Sequence, residues 1–514
     1  MGATVTSFYF LCFLLALLII YYVVPKRFQW LILLLFSIAY YLLSGNGILI
    51  VYPVMASFVA FVGAYLIEGA GEDEGKRKLY FAISLLLLTG SLFVLKYVNF
   101  IINTVNGIVG WFSPDKAPVL PTTSFLIPLG ISFYTFSILG YLIDVYNKIA
   151  KAEKNFFKFL SFGMYFPMIL SGPIMKYRED ASQLYVPHKL EYKNITFGAQ
   201  RMLWGFFKTI VISERMRMVV DTVYNAPGEY HGIYVIFATV CYAFQLYTNF
   251  SGAMDIVLGI SCMLGLSMPE NFKTPFFSKS ISEYWRRWHI TLGVWMKDYV
   301  FYPLLRTKWI GDLQTSLKDR LGKKKGKQLT TFIAMFILWF TVGVWHGGDW
   351  KYVIGSGLLH WFYIVTGEIL TPPFAKLMDR LHIDPKAKWV EGIRMVRTFI
   401  LVNIGFIFFR ANSFFDAVLL IKNIFVSFDA SSFFTGGVFN LGLDVIEAVI
   451  ALTSLAIFIA VSAMQDKGVK VREKIAGFKL PVRWIIWYAL LFYTILLGYY
   501  GPGFSAAEFI YQGF

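Results

Sequence analysis

The sequence predicts an all-α polytopic membrane protein, and three observations predict it. Its mean hydropathy is +0.60. Only 15% of its 514 residues are charged, where soluble domains carry roughly a quarter. Several apolar runs reach the roughly 18 residues that cross a bilayer as a helix.

The runs fall near 7–24, 28–43, 48–67, 79–95, 125–143, 156–174, 233–248, 253–268, 330–346, 351–369, 395–409, 443–463 and 482–500. The shorter ones are read as re-entrant, which leaves roughly eleven or twelve spans. The first run, Phe8 to Val24, follows no basic residue and precedes no small-residue cleavage site, so a span is expected rather than a removed signal peptide. "PKR" (Pro25–Arg27), "KIAKAEKNFFK" (Lys148–Lys158), "KDRLGKKKGK" (Lys318–Lys327) and "DKGVKVREK" (Asp466–Lys474) are expected on the cytoplasmic side. "MGATVTS", which holds no Lys or Arg, is expected outside.

The net charge is +16, from 47 Lys+Arg against 31 Asp+Glu. In a chain with this many spans, basic loops that set topology account for it, and nucleic acid is not expected as a partner. Cys12, Cys241 and Cys262 lie in apolar sequence without metal-ligand spacing or a disulfide framework. No internal repeat is visible, so the inverted-repeat signature of many transporters is missing. From about 175 to 325 the apolar runs shorten and mix with Pro, Gly and charge. At membrane depth such sequence is tolerated only inside protein or along a cavity. This middle region is the expected functional core.

"SEYWRRWHITLGVWMKDY" (Ser282–Tyr299) is its most unusual stretch. Read as one helix, Trp285, Trp288, Leu292, Trp295 and Tyr299 form an apolar face. Glu283 and Arg287 sit four apart, in the favourable order for an ion pair. Arg286 and His289 share another face, either at a functional site or snorkelling to water from an interfacial helix. "FILWFTVGVWHGGDWKYVIGSGLLHW" (Phe336–Trp361) supplies a second histidine. His346 follows ten uncharged residues, and an ionisable group there is a functional hypothesis by default. Gly347 and Gly348 then weaken the helix and permit close approach of a ligand or another backbone. His360, with no glycine opening beside it, reads as structural. His188, His231 and His382 read as solvated loop residues.

Histidine is the usual general base near neutral pH. The chain has no G-x-S-x-G elbow, no phosphate-binding P-loop and no H-E-x-x-H zinc pair. Direct transfer is the natural reading: a base takes the proton from an acceptor hydroxyl, which attacks an activated acyl group.

The residues resemble the membrane-bound O-acyltransferases, in particular their bacterial alginate and polysaccharide O-acetylation branch. "ENFKTPFFSKSISEYWRRWHITL" (Glu270–Leu292) is similar to that branch's signature, and "VWHGGDW" (Val344–Trp350) to its W-H-G motif. "PLGISFYTFSILGYLIDVY" (Pro128–Tyr146), "YFPMILSGPIMKY" (Tyr165–Tyr177), "GFFK" (Gly205–Lys208), "FFRANS" (Phe408–Ser413) and the terminal "FIYQGF" (Phe509–Phe514) match further blocks. The sequence departs from the branch at Asn249, where an aspartate is usual, and over Asp298–Trp309, which lacks the usual glycines.

The resemblance implies one membrane domain over 1–514: N-terminal spans over 1–174, a catalytic core over 175–370 and C-terminal spans over 371–514. It implies a ring of about eleven helices, with re-entrant and interfacial helices, around a central tunnel. His346 would be the catalytic base, with His289 across the tunnel polarising the acyl carbonyl or orienting the acceptor. Arg286 would point toward the site, with Trp285, Trp288, Trp345, Gly347, Asn271 and Asp298 binding or supporting substrate. Arg287 would stay tied to Glu283, and the aromatics would pack outward. No cofactor or metal is expected to be bound. The donor would be an acyl thioester in the cytosol, acetyl-CoA first among candidates, and the bilayer and an extracytoplasmic SGNH-like acetyltransferase would be partners. Two alternatives stay open: D-alanyl transfer to teichoic acid from a carrier-protein thioester, and, from another class, a transporter or flippase.

Overall fold

A computed structural model describes residues 7–113, 118–169, 172–428 and 430–500. The blocks "MGATVT" at the N-terminus, Leu170 and Ser171 of "YFPMILSGPIMKY", and the terminal "FIYQGF" lie outside the described residues. The described chain is built from helices, as an apolar solvent requires, because a helix satisfies its own backbone groups. Nine of these helices are long and apolar enough to cross a bilayer, and Phe8–Val23, Ile131–Tyr146 and Phe156–Ile169 are shorter apolar helices.

Most expected runs are recovered with longer ends. The run at 79–95 is the middle of Glu74–Phe112, a helix of 39 residues that at 1.5 Å per residue outreaches a hydrocarbon core of about 30 Å. Asp73 caps its start, accepting from Lys76 N at 3.0 Å. The runs at 233–248 and 253–268 are not two spans. They are one helix, Ile233–Met263, because "NFSG" between them is polar enough to interrupt a hydropathy run yet contains no proline. The run at 156–174 divides instead into Phe156–Gly163 and Phe166–Ile169.

Burial sorts the helices into inner and outer. Ile233–Met263 has 67% of its most apolar window buried, whereas Leu480–Leu497 has 6%. The apolar side chains of Leu480–Leu497 therefore face lipid, and the buried polar residues Gln245, Thr248, Asn249 and Ser251 of Ile233–Met263 face protein. Around this inner helix pack Tyr192–Phe206 and Glu214–Tyr224. Short, irregular helices between 270 and 305 complete the centre, as expected of the region where apolar runs shorten.

Candidate active site

The stretch from Ser282 to Tyr299 is not one helix. Ser280 caps Ile281–Arg287, accepting from Glu283 N at 3.1 Å. The helix then stops, Trp288 turns extended, and His289 adopts a left-handed conformation (φ 47°, ψ 53°) before Ile290–Met296 begins. The residues before the helix enforce this break. Phe272 and Trp288 form an antiparallel bridge. Lys273 N donates to Arg287 O at 2.9 Å and Ile290 N to Asn271 O at 3.0 Å. A non-glycine residue in the left-handed region costs about 1–3 kcal/mol and persists only where its surroundings dictate it. Periodicity alone continues the helix through this point, because it carries no information about pairing with residues 271–273.

The break aims His289 inward. Its side chain is 1% exposed, edge-on to Phe250 at 5.0 Å and to Trp345 at 5.7 Å between ring centroids. Its Nδ1 lies 3.3 Å from Asn271 Oδ1. That oxygen also accepts from Thr291 N at 3.0 Å, which fixes the amide orientation. An amide oxygen accepts only, so Nδ1 carries a hydrogen and the lone pair of the neutral ring lies on Nε2. This tautomer is assigned from its partner. Burial pushes the imidazole down to about 3, so the ring is neutral at pH 7.

His346 closes the helix Lys323–His346 and is 2% exposed. Its ring lies 5.1 Å from Trp345 and 5.5 Å from Phe409. The indole of Trp345 thus touches both His346 and His289. The glycines that follow make room for protein rather than for ligand. A Cβ on Gly347 would sit 2.5 Å from the Tyr352 ring, and one on Gly348 would sit 2.9 Å from Phe100 Cβ.

The remaining expected residues divide. Trp288 is buried among Tyr247, Phe272, Tyr284 and Phe406. It packs inward, not outward, because the extended residue reverses the face it would occupy on a helix. Trp285 lies edge-on to Trp339 at 4.9 Å and to His360 at 5.0 Å. Arg287 pairs with Glu283 at 2.7 Å and also with Asp466 at 2.5 Å. Arg286 is exposed. The break at Trp288 uncouples its face from that of His289, so the expectation that it points toward the site is corrected. Asp298 joins a separate cluster, bonding Lys176 Nζ at 2.7 Å beside Arg178.

Sequence reading missed two features. Lys96 donates to Trp345 O at 2.8 Å and to Ser132 Oγ at 3.0 Å. Among the described residues it pairs with no carboxylate. It ends the apolar run at 79–95, and so reads as a boundary when it is a lone cation 22 residues into a long helix. The second is a cavity of about 940 Å³. Arg201, Lys208, Asp255, Glu270, Lys273 and Arg472 are in its wall, together with Asn271, the residue that holds His289. Lys208 pairs with Asp255 at 2.6 Å, and Arg201 bonds Asp255 at 2.8 Å and Glu270 at 2.7 Å. The motif "GFFK" supplies Lys208, and Asp255 follows on the inner helix Ile233–Met263, but their meeting requires the fold.

Two buried histidines in contact with one indole fit acyl transfer, and residues 123–315, which hold the whole break around His289, match the family model for membrane-bound O-acyltransferases. Over these residues the chain is similar to the membrane-bound O-acyltransferase family. It is an O-acyltransferase and a multi-pass protein of the cell membrane. It is 29% identical over 395 residues to a probable alginate O-acetylase AlgI of Azotobacter vinelandii, covering 77% of this chain and 72% of that one. It is 26% identical over 380 residues to the peptidoglycan O-acetyltransferase of Helicobacter pylori, 69% of this chain and 66% of that one. It is 28% identical over 313 residues to the teichoic acid D-alanyltransferase of Bacillus subtilis, 59% of this chain and 73% of that one. These matches, all to acyltransferases, set aside the transporter alternative. Family departures fall outside the pair: Asn249 is buried on the inner helix, and residues from Asp298 onward form a π-helical turn and a short helix.

Proposed function

We propose that this O-acyltransferase moves an acetyl group from a thioester on the cytosolic side to a hydroxyl acceptor met inside the membrane, for O-acetylation of an extracellular polysaccharide. The observation that carries the reading is His346, an ionisable ring buried on the last turn of an apolar helix and sharing the Trp345 indole with His289. His346 is the base. It takes the acceptor's hydroxyl proton as the oxygen attacks the thioester carbonyl. The carbon–sulfur bond then breaks, and the proton passes from His346 to the leaving thiolate. General-base catalysis of this kind is worth about 10²–10⁴-fold. The role of His289 follows from its tautomer. A neutral ring with its hydrogen engaged by Asn271 offers Nε2 as an acceptor, which suits it to orient a hydroxyl rather than to polarise a carbonyl.

By the positive-inside rule, the basic segments at 318–327 and 466–474 support a cytosolic start for Lys323–His346 and for Leu480–Leu497. The large cavity, with Lys273, Arg472 and Asn271 in its wall, then suits an anionic thioester such as acetyl-CoA. A polymer chain is too bulky for an acceptor site enclosed by helices. The immediate acceptor is therefore a small hydroxyl-bearing carrier or the tail of a partner, and an SGNH-like acetyltransferase outside the membrane completes transfer to the polymer.

D-alanyl transfer from a carrier-protein thioester is the second reading, favoured by the match to a teichoic acid D-alanyltransferase. Incubation of the purified protein in lipid with labelled acetyl-CoA or with labelled D-alanyl carrier protein separates the two. Label passing from acetyl-CoA alone supports acetylation. Label passing only from the carrier overturns it.

A further inference from the structure

His360 reads as a packing residue in the sequence, yet the fold brings it to His346. Both rings line one small cavity of about 20 Å³, with Trp285, Trp288, Ser356 and Gly405 also in its wall. A water molecule needs roughly 10–15 Å³ of such space and two to four polar partners. The partners are available. His360 is 3% exposed and its Nδ1 has no hydrogen-bond partner among the described residues. The same holds for Trp285 Nε1. Leaving such a buried group unmade costs about 1–3 kcal/mol. The ring itself is held firmly, edge-on to Trp285 at 5.0 Å and stacked on Trp339 at 5.9 Å.

The chemistry of these groups fixes the direction of the bonds. An indole N–H only donates, and a water can accept twice and donate twice. A water in this cavity would accept from Trp285 Nε1 and from an N–H of His346, and would donate to the lone pair of His360 Nδ1. An imidazole that donates from one nitrogen presents its lone pair on the other, and that lone pair is what a base needs. We propose that His360 is a positioning residue of the acyl transfer: through one water it holds His346 in the tautomer and orientation that face the acceptor hydroxyl. The proposal rests on the reading of His346 as the base. It extends the logic by which a third group orients a catalytic histidine, with a water and a second histidine in place of a carboxylate.

The test uses the full chain reconstituted in lipid with labelled acetyl-CoA, comparing the wild type with His360→Asn, His360→Leu and His346→Ala. Asn and Leu both fill the space of the ring, but only Asn offers an oxygen that can accept from the water. His360→Leu should lower kcat about 10–100-fold, within the range of misoriented bases, and leave KM for the donor within about twofold. His360→Asn should recover most of that loss. A kcat for His360→Leu within about twofold of wild type overturns the proposal, as does an equal loss in Asn and Leu variants, which marks packing alone. Activity persisting in His346→Ala fails the parent reading instead, so the two failures are distinguishable.

Discussion

His289 and Asn271 show how a single backbone angle sets where a ring points and which nitrogen keeps its lone pair. The left-handed residue turns the ring from the surface of a helix into the centre of the molecule, and the amide that meets it decides which nitrogen is left to work. Burial of this neutral ring has a consequence for stability. The unfolded chain binds a proton at His289 below about pH 6.5, while the folded ring takes one only near pH 3. The contribution of the neutral ring is therefore full above pH 6.5 and is lost as pH falls toward 3. His289→Gln should flatten that acid loss, read as the difference in thermal midpoint between pH 7 and pH 4.5 in detergent. An unchanged pH dependence would place the ring in solvent contact. Lys96 makes a second prediction at this scale. Its ammonium bonds a carbonyl in the last turn of the helix that carries His346, where a cation also complements the helix dipole. Lys96→Met should lower acyl transfer about tenfold or more, and Lys96→Arg should restore much of it; both are checked with protein purified to one elution peak. Equal activity of Met and wild type would reduce Lys96 to a packing residue.

At the scale of elements, the start of the Lys323–His346 helix is informative because its charge opposes local preference. Lys323, Lys324, Lys325 and Lys327 crowd a helix N-terminus, where the dipole favours anions. Their placement is explained by topology, since basic residues hold a segment on the cytosolic side. Replacing Lys323, Lys324 and Lys325 by Gln should weaken donor capture modestly and make it less sensitive to salt, because such charges act over about 8–10 Å. Lys324→Cys is exposed and should react with an impermeant thiol reagent only after cells are opened, in a background without Cys12. Reaction in intact cells would reverse the orientation. Gly326 is unsuited to the same probe, because a Cβ there would meet Lys318 N at 2.5 Å. Much of this level was legible in the sequence. Apolar length gave most of the long helices, and the spacing of Glu283 and Arg287 anticipated a contact that forms at 2.7 Å. The merging of two runs into Ile233–Met263, the break at Trp288 and the outward turn of Arg286 were not legible, because each is set by what packs alongside rather than by local propensity.

For the whole molecule, what sequence spacing could not supply is adjacency. His289 and His346 are 57 positions apart, yet Trp345 brings them within two ring contacts. Lys208, Asp255 and Glu270 meet in one cavity wall from three segments. Motifs named the participants, and only the fold shows that Asn271 links the cavity to the histidine pair. At this scale the prediction concerns division of labour. Vesicles holding this protein alone should consume acetyl-CoA on the cytosolic side only slowly when deacetylated polymer is the sole acceptor outside, and adding an SGNH-like acetyltransferase, the proposed partner, should accelerate polymer labelling. Efficient labelling without the partner would make this chain the complete enzyme.

The most direct measurement is the rate of label transfer from acetyl-CoA by wild-type protein and by His346→Ala, reconstituted side by side in lipid at matched insertion. Transfer should fall by about 10²–10⁴-fold in the variant, with donor binding preserved. Transfer within a few fold of wild type would contradict a base at His346 and, with it, the reading of the buried histidine pair as the reaction centre.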